Sequence, residues 1–447
     1  MRKWYIVVVL ALLIGLGCGV KSQLKKLPIV SGYSAKALCS YTYIANRPMD
    51  AIESEDLSFG PLPIATNRIQ LEAKTATSSV LGLGKKTAVY RKDIGCVLLH
   101  GDDDHNVQSP VYERPTDRSR NYPYGDAVPT QLPDDVNYDQ LQAAIDGIFD
   151  PDGGMTDKKT RAVLVIYNDT IIAERYAKDI DEHTELLGWS MTKSIMNAWV
   201  GRLVQAGRIS IDDKALYEKW LGDDRSKISL NNMLHMTSGL EWEEVYDKVS
   251  GATTMLFDSE DVVATARDRA AIAAPGDRWY YSSGTSNLIS GYLRQQYADH
   301  TDYLRYPYDS LFLKLGMYET VMESDEAGNY VGSSYCYATA RDWGRFGLLY
   351  LHDGIWDGER LLPEGWVEYS SKEEANSDGV YGAHFWLNKR GASYPDAPED
   401  LFSANGFQGQ RVFVIPSRNM VIVRLGLNED PGFNSFLKLA TSSVPAS

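Results

Sequence analysis

At about 150 residues per domain, the 447 residues allow two or three domains, and a 44% hydrophobic content supplies a large core, which excludes a disordered or fibrous chain. A formal net charge of -15 excludes nucleic acid, or an anionic membrane surface, as the main partner.

In chain order, Arg2 and Lys3 precede an uncharged run from Trp4 to Val20, the layout of an export signal, so residues 1–23 read as a signal or membrane anchor. Three endings stay open: lipidation at Gly17-Cys18, an uncleaved anchor, or simple secretion. In each, the mature part lies outside the cytoplasm and touches the membrane only through this segment. The remaining cysteines are Cys39, Cys96 and Cys336. In an oxidising compartment Cys39 and Cys96 form the natural pair, each set in a strand-like run (Ala37 to Ile44 and Thr87 to Leu99), and Cys336 is a buried free thiol.

Residues 24–130 read as a small N-terminal extension unit with β content and no helical period. From Arg114 to Pro133 prolines and charges dominate, as in a surface linker leading into a larger domain, 131–447. Asn137 caps a helix whose apolar face carries Leu141, Ala144, Ile145, Ile148 and Phe149. Ala162 to Tyr167 and Ile171 to Tyr176 form a hairpin around Asn168-Asp169-Thr170. A helix beginning near Ser190 ends at Gly207. Arg411 to Ile415 and Met420 to Leu425 make a second hairpin, and Phe433 to Thr441 a closing helix. Strands at both ends with helices between them predict an α+β fold: an antiparallel sheet flanked by helices, an adjoining helical region, and a cleft between the two.

The chemistry concentrates at Ser190-Met191-Thr192-Lys193. Residues three apart on a helix share one face, so Lys193 is placed to take the proton of Ser190, provided that burial or a neighbouring cation keeps its amine neutral. A first-turn position for Ser190 places backbone NH groups and the helix dipole beside a developing oxyanion. The pattern alone is weak, since Ser22 to Lys25 and Ser435 to Lys438 repeat it. Thr192 stands where a Ser-His-Asp hydrolase of the GxSxG type has glycine. No GxGxxG, P-loop or HExxH occurs, and the seven histidines lack metal-ligand spacing, so neither cofactor nor metal is expected.

Downstream stand Met233-Leu234-His235-Met236-Thr237-Ser238-Gly239-Leu240, then Tyr280-Tyr281-Ser282-Ser283, then Asn405-Gly406-Phe407-Gln408-Gly409-Gln410. With Ser190 and Lys193, this ordered set resembles the serine β-lactamase and penicillin-binding superfamily. More narrowly, it is similar to class C-like serine hydrolases of the 6-aminohexanoate-dimer (nylon oligomer) hydrolase type and related esterases, over about residues 135 to 445. The resemblance implies an acyl-enzyme on Ser190, with Lys193 as base and Tyr281 passing protons as the tyrosine of a YxN motif; Tyr280 is the rival. A cation beside Tyr281 would favour its phenolate. Ser283 stands where many relatives have asparagine, Tyr246 matches a substrate-side tyrosine, and the NH near Phe407, freed by Gly406, pairs with the Ser190 NH as an oxyanion hole. Relatives that recognise β-lactams usually carry lysine or histidine before this glycine. Here Asn405 precedes it, and Arg411 supplies a charge only if it faces the cleft.

The expected function is hydrolysis of a small-molecule amide or ester. The alternative is a non-catalytic or peptidoglycan-peptide-binding cell-envelope protein, for which a lost Ser190 or Lys193 would have been the sign. The oligomeric state stays open.

Overall fold

The structure, a computed structural model, describes residues 24–101 and 112–446. The export signal or anchor read at residues 1–23 lies outside the described residues. Among those described, no helix is long and apolar enough to cross a membrane.

The chain begins with helix α1 (Leu27–Tyr43), followed by a four-stranded antiparallel meander of β1 (Ala65–Gln70), β2 (Thr75–Val80), β3 (Leu83–Arg91) and β4 (Gly95–Leu99). The sequence reading found no helix in this unit and read Ala37 to Ile44 as extended. The reason is burial: from Val30 to Tyr41 every residue of α1 except Tyr33 is buried, so no polar face alternates with an apolar one and no 3.6-residue stripe exists to be read. Thr87 to Leu99 is not one run either. It folds back at Asp93 and Gly95, both at positive φ, into the β3–β4 hairpin. The expected disulfide is present, joining Cys39 of α1 to Cys96 of β4 with Cα atoms 6.0 Å apart, and Cys336 is free and buried.

The larger part follows the expected order. α2 (Tyr138–Ile148) is capped by the Asn137 side chain, which accepts from the Gln140 NH. β5 (Thr160–Tyr167) and β6 (Thr170–Tyr176) form the first hairpin; then come α3 (Thr192–Gln205), α4 (Gly251–Phe257), α5 (Ser283–Arg294) and α6 (Ala340–Leu351). The chain closes with β7 (Trp386–Leu387), β8 (Phe402–Gly406), β9 (Gln410–Ile415), β10 (Met420–Gly426) and α7 (Phe433–Ser442). Six strands pair antiparallel in the order β7-β8-β9-β10-β5-β6, so the two ends of the domain meet at the β10–β5 pair. β5, β9 and β10 are buried at every position because helices cover both faces, and they therefore read as continuous apolar runs. α6 lies directly on the sheet at Gly344 and Gly347; a methyl on Gly347 would come within 2.6 Å of Val421 and 2.8 Å of Val412.

The N-terminal unit shares this core. α1 packs on α4, where a methyl on Gly32 would stand 2.0 Å from the Phe257 carbonyl oxygen. Two buried ion pairs tie the parts together. Lys36 of α1 binds Glu323, which also accepts from Ser40 Oγ at 2.8 Å and the Cys96 NH at 2.6 Å. Arg161 of β5 clasps Asp56 at 2.7 and 2.8 Å.

Candidate active site

Ser190 sits in a short 3-10 turn, Trp189–Met191, that leads into α3, so it stands just before the helix rather than in its first α-turn. The turn is tight: Trp189 adopts φ 48°, a conformation costing an ordinary residue of order 1–3 kcal/mol and concentrated at functional sites. Gly188 permits it, since a methyl there would lie 2.3 Å from the Trp343 ring. The end of β8 presses on the same turn, leaving a methyl on Gly406 only 2.0 Å from the Gly188 carbonyl oxygen. This close approach sets the backbone at Phe407 beside Ser190.

Lys193 is 1% exposed, and its Nζ is ringed by three oxygens: it donates to Ser190 Oγ at 2.9 Å, Ser283 Oγ at 3.1 Å and the Ser333 carbonyl at 2.9 Å. Burial lowers the ammonium to about 8, while the Glu244 carboxylate works in the opposite direction. A sizeable share of the amine is therefore neutral near pH 8 and can accept the serine proton. The cation that was to assist is not what stands beside it; the neighbouring charge is an anion.

Tyr281 lines the same open cavity as Ser190, with Lys193 Nζ 4.8 Å from its ring centroid. Its phenol is not biased toward phenolate, as the cation argument had it. Burial and then the Glu244 charge push it upward, and a hydrogen bond with Ser190 offsets this only in part. Tyr281 is thus a protonated phenol that can donate, with Lys193 left as the base. Tyr280 points elsewhere: its hydroxyl accepts from the Glu244 NH at 3.4 Å, and it lines a separate pocket with Met236 and Trp242.

Glu244 is the residue that sequence reasoning missed. Its carboxylate accepts from Ser283 Oγ at 2.5 Å, the Ser283 NH at 2.8 Å, Trp242 Nε1 at 2.5 Å and Tyr246 OH at 2.6 Å. The anion therefore caps the N-terminus of α5, where the helix dipole favours it, and joins Lys193 to Tyr246 through the Ser283 hydroxyl. Nothing in Glu241-Trp242-Glu243-Glu244 separates it from its acidic neighbours except a spacing of two from Tyr246. The Ser333 carbonyl, held by paired hydrogen bonds between Ser333 and Asn287 of α5, was equally unmarked. Tyr246 is 44% exposed and stands at the cleft mouth, its hydroxyl 3.4 Å from Ser283 Oγ. Behind the site, buried His384 is lowered to about 3 by burial and makes a 2.8 Å hydrogen bond with the Lys193 carbonyl, holding α3 in place as a neutral ring.

The open cavity, about 450 Å³, is bordered by Ser190, Glu244, Tyr281, Asn405, Arg411 and Glu429 among others. Arg411 does face the cleft, but its Nη1 already donates to the Gly406 and Gln410 carbonyls at 2.9 Å each. All seven expected site residues converge here: Ser190, Tyr281, Tyr246, Gly406 and Phe407 on the cavity wall, Lys193 and Ser283 bonded behind it. Among the described residues no group of three or more His, Cys, Asp or Glu could hold a metal ion.

The Beta-lactamase family model matches residues 145–434, more than half of the chain. The chain belongs to the beta-lactamase family. This beta-lactamase-family chain is 24% identical over 325 residues to a 6-aminohexanoate-dimer hydrolase of Paenarthrobacter ureafaciens, covering 65% of this chain and 79% of that protein. Its fold is similar to EstCE1, a hydrolase with promiscuous acyltransferase activity (TM-score 0.56, 13% identity, 68% of this chain and 98% of that one). It is also similar to a penicillin-binding protein homologue of Caulobacter crescentus (TM-score 0.54, 15% identity, 70% and 98%). The beta-lactamase-family core thus begins after the N-terminal unit, which lies outside the matched residues. The Cys39–Cys96 disulfide suggests an extracellular environment.

Proposed function

We propose that the protein is an exported serine hydrolase that cleaves a small-molecule amide or ester through an acyl-enzyme on Ser190. The observation that carries this reading is the 2.9 Å bond from a buried Lys193, lowered to about 8, to Ser190 Oγ. Lys193 takes the Ser190 proton as Oγ attacks the carbonyl carbon. The oxyanion is held by the NH groups of Ser190 and Phe407, and the proton passes through the Tyr281 hydroxyl to the leaving oxygen or nitrogen as its bond breaks. Water, activated in the same way, releases the acid and restores Ser190. The similarity to a 6-aminohexanoate-dimer hydrolase supports a linear amide or ester as substrate. A binding-only envelope role is less well supported, because Ser190, Lys193 and Tyr281 are all present, Lys193 bonded to Ser190 and Tyr281 on the same cavity wall as Ser190.

Treatment with a fluorophosphonate followed by intact-mass measurement tests the reading. One adduct is expected on the wild type and none on Ser190→Ala. Ester hydrolysis at the wild-type rate by Ser190→Ala would refute it.

A further inference from the structure

Ser190 borders a second, apolar cavity of about 100 Å³, which shares Tyr246 and Phe407 with the open cleft. Its walls come from two parts of the chain. Tyr33, Phe59 and Leu62 belong to the N-terminal unit, outside the family-matched residues 145–434, whereas Trp189, Phe257 and Phe407 belong to the hydrolase body. The rings interlock across the junction: Tyr33 lies 5.9 Å from Trp189 and 4.9 Å from Phe257, and Phe59 lies 6.0 Å from Phe407. The disulfide and the buried Lys36–Glu323 and Asp56–Arg161 pairs hold this wall in place before any ligand arrives.

The two cavities differ in what borders them. Tyr246 and Phe407, their rings 6.2 Å apart and 21° from parallel, stand on the border of both, but Tyr281, Glu244 and Arg411 border only the open one. The leaving atom has to face its proton donor, so a leaving group protonated by Tyr281 departs into the open, polar side. The other half of the substrate, the acyl group, then lies on the apolar side.

We propose that the apolar cavity is the acyl subsite and that the N-terminal unit sets acyl selectivity, so that the preferred substrates are esters or amides of apolar carboxylic acids with polar leaving groups. This rests on the Ser190 acyl-enzyme reading. The cavity, at about 100 Å³, is smaller than the ~150 Å³ apolar void that holds the six carbons of benzene, which corresponds to roughly four or five carbon atoms beyond the carbonyl. Each methylene moved from water into it raises kcat/KM by roughly three- to fourfold.

The test uses the purified full chain and p-nitrophenyl esters from acetate to dodecanoate, in the wild type, Ser190→Ala, Val30→Phe and Phe59→Ala. Val30 lines the cavity, so Val30→Phe fills it and Phe59→Ala enlarges it. For the wild type, kcat/KM is expected to climb from acetate to about hexanoate and fall beyond it. Val30→Phe lowers the hexanoate-to-acetate ratio by roughly tenfold or more, and Phe59→Ala moves the optimum to longer chains. A flat wild-type profile that still requires Ser190 would overturn the subsite while leaving the nucleophile intact, as would an unchanged ratio in both cavity variants. A chain-length optimum that survives Ser190→Ala would overturn the acyl-enzyme reading instead.

Discussion

Replacing Glu244 by glutamine tests the electrostatics of the site most directly. Two hydrogen bonds, Lys193 Nζ to Ser283 Oγ at 3.1 Å and Ser283 Oγ to Glu244 Oε1 at 2.5 Å, separate the ammonium from the carboxylate. Opposite charges ~6 Å apart at an effective dielectric of ~20 attract by roughly 3 kcal/mol, or about two pK units. Glu244 raises Lys193 against the burial that brings it to about 8, so its removal disfavours the ammonium and lowers the lysine further. The ester-hydrolysis limb of kcat/KM, rising with pH as Lys193 loses its proton, should have a midpoint near 8 in the wild type. In Glu244→Gln the midpoint should fall by about one to two units, because water entering the cleft weakens the full Coulomb value. Glutamine keeps an acceptor for Trp242 Nε1 and the Ser283 NH, so the fold is retained, which circular dichroism would verify. A midpoint that stays near 8 or rises would show that Glu244 does not set the base.

Lys193→Ala and Tyr281→Phe are each expected to lower turnover by about 10² to 10⁴ if they carry protons, measured as kcat on one ester; losses under tenfold would contradict those roles. Gly406→Ala would push its methyl to 2.0 Å from the Gly188 carbonyl oxygen, so the β8 end must retreat from Ser190; a fall in kcat/KM of about 10² together with a lowered melting temperature is expected, and full activity would dismiss the tight approach. The 57-residue separation between Cys39 and Cys96 makes the disulfide worth about 4 kcal/mol in the chain-entropy model, so Cys39→Ser should lower the urea midpoint, and free thiols in non-reducing peptide maps of exported protein would contradict the bridge. Penicillin and cephalosporin turnover should be slow, because Asn405 precedes Gly406 and Arg411 is already bonded to two carbonyls beside Glu429; efficient turnover lost on Ser190→Ala would refute this.

The local order of elements in the beta-lactamase-family body was determined by the sequence alone. The Asn137 cap, the two hairpins and the closing helix follow from periodicity, turn residues and a side-chain acceptor, all acting over a few positions. Ser190 and Lys193 could be paired for the same reason, because three residues on a turn are close in any context. The tertiary structure decided what depends on surroundings. α1 was invisible because burial on nearly every side erases an amphipathic stripe. Tyr281 became a donor rather than a phenolate because burial and the Glu244 anion outweigh the Ser190 hydrogen bond and the Arg411 charge. Glu244 and the Ser333 carbonyl reach the site from segments far from Ser190 in the chain, through hydrogen bonds that no spacing encodes. The apolar cavity exists only where the N-terminal unit folds over the Ser190 turn, since each part alone presents half of its wall.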